Sequence, residues 1–317
     1  MKLTKMNPKK FFSIVGVIIS LLFLIIYFFS NIGEIKSIQT SSLYYLLISI
    51  ILFILYMYNN GLILKYVVEP FGVFLGKFES FAVSVITLML NMVTPFRGGA
   101  LLRAWYLKSK YSLPYTLFFS TLFAIYIIVF FIASFIGILV LLIKDSTIES
   151  NFVLLSFVFV FFVSLCLIVF RRQFNFSKHK LTNKFVIGFN GFDKIKSYKF
   201  ITIKLILINL LNILIMSLMI FFESKFLNFD VSLLSSLLIS TFSTFSLLIA
   251  ITPGSVGIKE IFIITSAKII GLTTTQSFAI ALLDRLIGII ILVVLGPIFS
   301  YILFKKVFPR IKNETNN

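Results

Sequence analysis

Six charged residues sit where a very apolar chain has little reason to keep them. Arg97 and Arg103 belong to the stretch TPFRGGALLR, residues 94–103. Lys259 and Glu260 close the stretch TPGSVGIKE, residues 252–260. Asp284 and Arg285 lie eight or nine residues into an apolar run, 277–304. A guanidinium fork takes two phosphate oxygens at once. A charge deep in hydrocarbon is costly and marks a site by default. Together these types point to capture of a phosphate or carboxylate group. Each has a plainer alternative. Arg97 and Arg103 could anchor a cytoplasmic interface by snorkelling. Glu260 could satisfy a helix end, Lys259 or a neighbouring Arg. Asp284 and Arg285 could pair with another span.

Bond-making chemistry has little support. Cys166 is the only cysteine and lies in an apolar run, so a disulfide framework and a cysteine metal site are not expected. His179 is the only histidine and sits in a Lys-rich loop. No catalytic residue, metal or other cofactor is read, and no ATP-binding motif is present.

The charges follow helix breakers. Thr94, Pro95, Gly98 and Gly99 form the first set; Thr252, Pro253, Gly254 and Gly257 form the second. Pro removes a backbone donor and ends the incoming helix. Gly lets the chain turn without a Cβ clash. A helix restarting inside the membrane begins with unpaired N–H groups, which favour an anion. Bare backbone cannot face lipid, so each break must line a cavity or be buried in protein.

The segments that hold these breaks are membrane segments. Of 317 residues 59% are hydrophobic, 40 are Phe, and the mean hydropathy is +1.08. A soluble interior cannot hide that much apolar surface. The fold expected is an all-α polytopic membrane protein: about six full spans plus two re-entrant, broken helix elements in inverted repeats. The six spans are placed at 11–30, 43–64, 115–143, 152–170, 201–222 and 277–304, of roughly the length a bilayer needs. Residues 71–93 read as a partly inserted helix before the first break. Residues 231–251, with six Ser and two Thr, read as its counterpart before the second. Short helices are expected after the breaks, at 100–109 and 256–270.

The net charge of +18 comes from 29 Lys and Arg against 11 Asp and Glu. In an apolar chain this reflects the positive-inside rule and attraction to anionic lipid rather than nucleic-acid binding. Residues 171–204 hold nine Lys or Arg and one acid, Asp193. They read as a cytoplasmic loop, either plain or amphipathic on the inner leaflet. Both termini are placed in the cytoplasm. The whole chain, 1–317, is one integral membrane domain: a first span and outer loop (1–42), repeat one (43–143), a linking span and basic loop (144–200), and repeat two (201–317).

PFRGGALLRAWYL resembles the Pro-x-Arg-x-Gly-(Glu)-x-x-Arg motif of the lysylphosphatidylglycerol synthase transmembrane-region family, also called flippase-like domain proteins. PGSVGIKE resembles that family's second motif, and ALLDRLIG its later Arg-bearing span. The family includes the membrane half of the multiple peptide resistance factor, which moves aminoacylated phosphatidylglycerol between leaflets. Two positions depart from the pattern. Ala100 stands where Glu is usual, and Ala124-Ile125-Tyr126 stands near the place of an acidic–Arg pair. The resemblance implies a flippase-like protein of the cell membrane that moves an anionic or aminoacylated phospholipid, or a lipid-linked headgroup. Its partners would be lipids with anionic headgroups. The alternatives are a membrane component of a lipid-modifying transferase and a scaffold for a partner transferase. Independent catalysis is argued against, because the family's aminoacyl transfer resides in a separate soluble domain.

Overall fold

The computed structural model describes residues 39–143, 148–170, 180–249, 252–255 and 257–314. The first expected span, 11–30, lies outside them. The described residues form ten α-helices and four short 3-10 turns, with no strand among them. The helices are α1 (Leu43–Val68), α2 (Lys77–Val93), α3 (Gly98–Tyr111), α4 (Tyr115–Ile143), α5 (Ile148–Val169), α6 (Lys180–Ser197), α7 (Lys199–Phe226), α8 (Leu233–Thr244), α9 (Ile258–Ile269) and α10 (Thr274–Glu314).

Five stretches are long and apolar enough to cross a bilayer: Leu43–Phe71, Tyr115–Ile143, Asn151–Val169, Lys199–Phe226 and Thr274–Leu303. They coincide with the second to sixth expected spans. The chain is therefore a polytopic, all-helical membrane protein. Its Phe-rich outer faces fit that environment. On α5, Phe152, Phe159 and Phe162 are exposed, with Phe152 at 77%. In water such a patch would aggregate; in lipid tails it costs nothing.

Each of the two broken elements runs from one helix through 3-10 structure into a second helix. α2 stops at Thr94, whose hydroxyl bonds back to the Leu90 carbonyl at 2.5 Å. Pro95–Arg97 form a 3-10 turn, and Phe96 and Arg97 take φ of 52° and 54°. α3 then returns as a hairpin partner of α2. The hairpin closes at Gly99, where an added Cβ would strike the carbonyl of Thr87. On the other side α8 gives way at Thr244 to a 3-10 stretch, Phe245–Ile249, so the expected helix over 231–251 is shorter than its apolar pattern. Six Ser and two Thr in that segment explain the difference. Their side chains take backbone carbonyls three and four residues back, as Ser240 and Thr244 do, and compete with the helix ladder. A second 3-10 turn, Pro253–Ser255, has Gly254 at φ 58° and Ser255 at φ 53°. α9 starts after Gly257, and α10 begins with a reciprocal cap between Thr273 and Gln276 at 3.0 and 3.2 Å.

Packing brings the two elements together. α1 lies along α7, and α2 packs on both α1 and α10. α8 joins α7, α4 and α9. The turn at Pro95–Arg97 touches the turn at Pro253–Ser255, and α2 touches the latter as well.

The basic stretch holds a helix, α6, rather than a plain loop. Its apolar face packs against α4: Phe123 meets Phe189 and Phe192 edge-on at 4.9 and 5.8 Å. Phe192 and Ile195 are buried. Buried Lys196 donates to the carbonyls of Leu167 and Phe170 at 3.0 and 2.7 Å and pairs with Asp193 at 2.7 Å. A cation there caps the C-terminal carbonyls of α5 and favours its dipole.

Candidate functional site

The cavity between the breaks has a volume of about 320 Å³. Arg97, Arg103, Lys259, Asp284 and Arg285 all line it, as do Thr252 and Gly254. Residues nearly two hundred positions apart in the chain thus share one space. Glu260 stands behind it, 3% exposed.

Asp284, Glu260 and Glu79 each have a partner from their own hairpin. On α9 and α10, Lys259 Nζ lies 2.5 Å from Asp284 Oδ2, and Arg285 Nη2 lies 2.5 Å from Glu260 Oε1. Arg285 Nη2 also donates to the Gly254 carbonyl at 3.3 Å. Gly254 suits both demands at this point, since its φ is positive and a Cβ would come within 3.3 Å of Arg285 Nη1. On α2 and α3, Glu79 accepts from the hydroxyls of Tyr106 and Tyr111 at 2.7 and 2.8 Å, and Lys110 Nζ lies 2.8 Å away. Burial, with the bond to Glu79, pushes the Tyr106 hydroxyl above its ordinary range.

Arg97 and Arg103 are different. Among the described residues neither has a carboxylate within ion-pair distance. Arg97 donates to the Tyr126 hydroxyl, and its guanidinium lies 5.3 Å from that ring's centre. Arg103 Nε donates to Thr87 Oγ1 at 3.3 Å. Both departures from the family pattern bear on this. Tyr126 gives Arg97 a neutral partner, and Ala100 lines the cavity where a Glu would add negative charge. Neither guanidinium charge is compensated by a carboxylate among the described residues. Arg97 itself stands at a left-handed φ, a cost of about 1–3 kcal/mol for a non-Gly residue and a mark of functional sites.

Two features escape the sequence reading. α7 continues to Phe226, past the expected end of the fifth span at 222, and carries Glu223 inside the packed region. Glu223 is 0% exposed, and neither carboxyl oxygen has a hydrogen-bond partner among the described residues. Its charged neighbours are Asp284 and Lys259. Four asparagines, Asn60, Asn91, Asn209 and Asn212, also line the cavity. Carboxamides inside otherwise apolar spans were the available signal for these.

These features define a polytopic, all-helical membrane protein with a cavity between two helix breaks, lined by Arg97, Arg103, Lys259 and Arg285. The lysylphosphatidylglycerol synthase TM region family model matches residues 13–296. The chain belongs to that family. No curated protein matched the chain, and no solved structure did.

Proposed function

We propose that the chain is a flippase that moves an anionic or aminoacylated phospholipid, or a lipid-linked headgroup, between the leaflets of the cell membrane. One observation carries this reading: two guanidinium groups with no carboxylate partner among the described residues face a cavity between two helix breaks. The phosphate sits on Arg97 and Arg103, which offer fork-shaped donors in a low-dielectric space. Lys259, Asp284 and Arg285 form the opposite wall, and Glu260 holds Arg285 in place. In this reading residues 43–143 and 201–317 are repeats of opposite sense. Rocking of one against the other exposes the cavity to each leaflet in turn. The basic stretch 171–204 lies in the cytoplasm, as do both termini.

The family description favours a second reading, the membrane component of a lipid-modifying transferase, with this chain holding the lipid for a partner enzyme. Liposomes separate the two. Purified protein is reconstituted with fluorescent anionic lipids, and protection from a membrane-impermeant quencher is followed. Loss of inner-leaflet protection faster than in empty liposomes is expected. If no lipid class moves faster, the flippase reading fails and the transferase reading stands.

A further inference from the structure

One buried acid, Glu223, has no part in holding a headgroup. It lies near the end of α7 and is fully buried. Among the described residues neither of its oxygens has a hydrogen-bond partner, and no Lys or Arg lies within ion-pair distance. A headgroup in the cavity cannot reach oxygens so enclosed. A proton can, because it passes between neighbouring ionisable groups and needs no open surface.

The charged groups that face Glu223 come from other helices. α10 supplies Asp284 and α9 supplies Lys259, and these two pair with each other at 2.5 Å. Beside them Glu260 pairs with Arg285 at 2.5 Å, and the second oxygen of Glu260 has no partner among the described residues. α8, which packs on α7, has Ser and Thr but no acid or base in its sequence. α1 brings Tyr45, whose ring stacks on that of Phe222, and Tyr56, which lines the cavity near Lys259. α4 has only Tyr115 and Tyr126, and Tyr126 is taken by Arg97. On α7 itself Lys225 is turned to exposed Asp230 at 3.5 Å.

Counted as ions, Glu223, Asp284 and Glu260 outnumber Lys259 and Arg285 by one charge. Arg97 and Arg103 do not restore the balance. They stand on the opposite hairpin, bonded to Tyr126 and Thr87, and make no ion pair with the cluster. An uncompensated ion shut away from water costs several kcal/mol. One proton on the cluster removes that cost.

We propose that Glu223, Asp284 and Lys259 form a proton-binding site in the cavity wall, and that its proton travels with the lipid. The site holds one proton on its two carboxyl groups. That proton leaves the Glu223 carboxyl for the Asp284 carboxylate, and from there enters the cavity, which Asp284 and Lys259 line. An anionic headgroup in the cavity brings negative charge towards Lys259 and favours the loaded site. Proton and lipid then move in the same direction. The shared movement rests on the flippase reading; proton binding rests on the cluster alone.

The test begins with full-length protein in detergent. Infrared difference spectra between acid and alkaline buffer should show the stretch of a protonated carboxyl. Glu223→Gln should remove that band and Glu223→Asp should keep it. A spectrum without the band, or a band that Glu223→Gln leaves unchanged, overturns the proposal. If Glu223→Gln does not fold, the Glu223→Asp band decides: a shifted band supports the assignment, and one identical to the natural protein's overturns it. The second stage uses liposomes with fluorescent phosphatidylglycerol. A gradient of about one pH unit should tilt the final leaflet ratio about tenfold towards the alkaline side, the value for one proton per lipid. Empty liposomes give the background, and Glu223→Gln should abolish the tilt. Lipid movement without a tilt overturns the coupling and leaves the flippase reading standing. The band without any lipid movement sinks the flippase reading and keeps the proton site.

Discussion

Arg285 and Glu260 meet at 2.5 Å inside the protein, and the same guanidinium reaches the carbonyl of Gly254 at the second helix break. One side chain on α10 therefore ties α9 to the turn that precedes it. Removing one member of a buried pair leaves the other charge stranded, at about 3–5 kcal/mol. Arg285→Ala and Glu260→Ala should each lower the unfolding midpoint in detergent strongly. The double variant should be no worse than either single one. Additive losses would mean the two do not act as a pair.

Arg97 and Arg103 should behave in the opposite way. Neither stabilises a carboxylate among the described residues, so Arg97→Gln and Arg103→Gln should change thermal stability little. Each should weaken anionic-lipid binding by about 1.5–3 kcal/mol, the value of one charge-assisted hydrogen bond. A titration with phosphatidylglycerol measures this. Large stability losses with unchanged binding would move the headgroup elsewhere.

Tyr126 sets how much of the Arg97 charge is free. Tyr126→Phe removes a neutral partner and should leave lipid binding within about threefold of the natural protein. Tyr126→Glu places a carboxylate against Arg97 and should weaken anion binding by about tenfold. If both variants bind alike, Arg97 does not contact the anion.

The breaks can be probed through their glycines. Gly99→Ala drives a methyl into the Thr87 carbonyl, and overpacking of this kind costs about 1–3 kcal/mol. Gly254→Ala adds a positive-φ penalty of about 1–2 kcal/mol and crowds Arg285. Both variants should unfold at lower temperature, and Gly254→Ala should also slow lipid movement. Gly72→Ala is the control, since its φ is positive but nothing lies within 4 Å of the added Cβ.

Glu223 offers a contrast with Glu260. Among the described residues its two oxygens have no hydrogen-bond partner, whereas one oxygen of Glu260 holds Arg285. Glu223→Gln keeps the shape and adds a donor for the neighbouring Asp284. It should hold or raise the unfolding midpoint, while Glu260→Gln should lower it. A large loss from Glu223→Gln would show that the carboxyl has a partner the geometry does not reveal.

Much of the fold is legible because the bilayer simplifies it. The run 115–143 reads as a span and is one, since length and hydropathy decide that state almost alone. The breaks at Pro95 and Pro253 are legible for an equally local reason: a missing donor and a missing Cβ act on the backbone that carries them. Pairing is not local. Nothing in the spacing says whether Glu260 takes Lys259 or Arg285, because the choice depends on which faces of α9 and α10 meet. Glu223 is harder still. In sequence it opens the polar stretch ESKFLNFD and looks like a loop residue. Only the packing of α7 shows it to be interior. The helix α6 was masked by its own lysines, whose number says cytoplasm but not what the Phe residues between them touch.

The ion pairs also bear on how the chain enters its membrane. Lys259–Asp284 and Glu260–Arg285 both join α9 to α10, which are consecutive and separated by a short turn. Glu79–Lys110 joins α2 to α3 in the same fashion. A lone Lys, Arg or Asp at the centre of an inserting helix costs about 2.5–3.5 kcal/mol. Pairing inside a hairpin removes that part of the cost before the two hairpins have to meet. Arg97 and Arg103 have no such pair among the described residues.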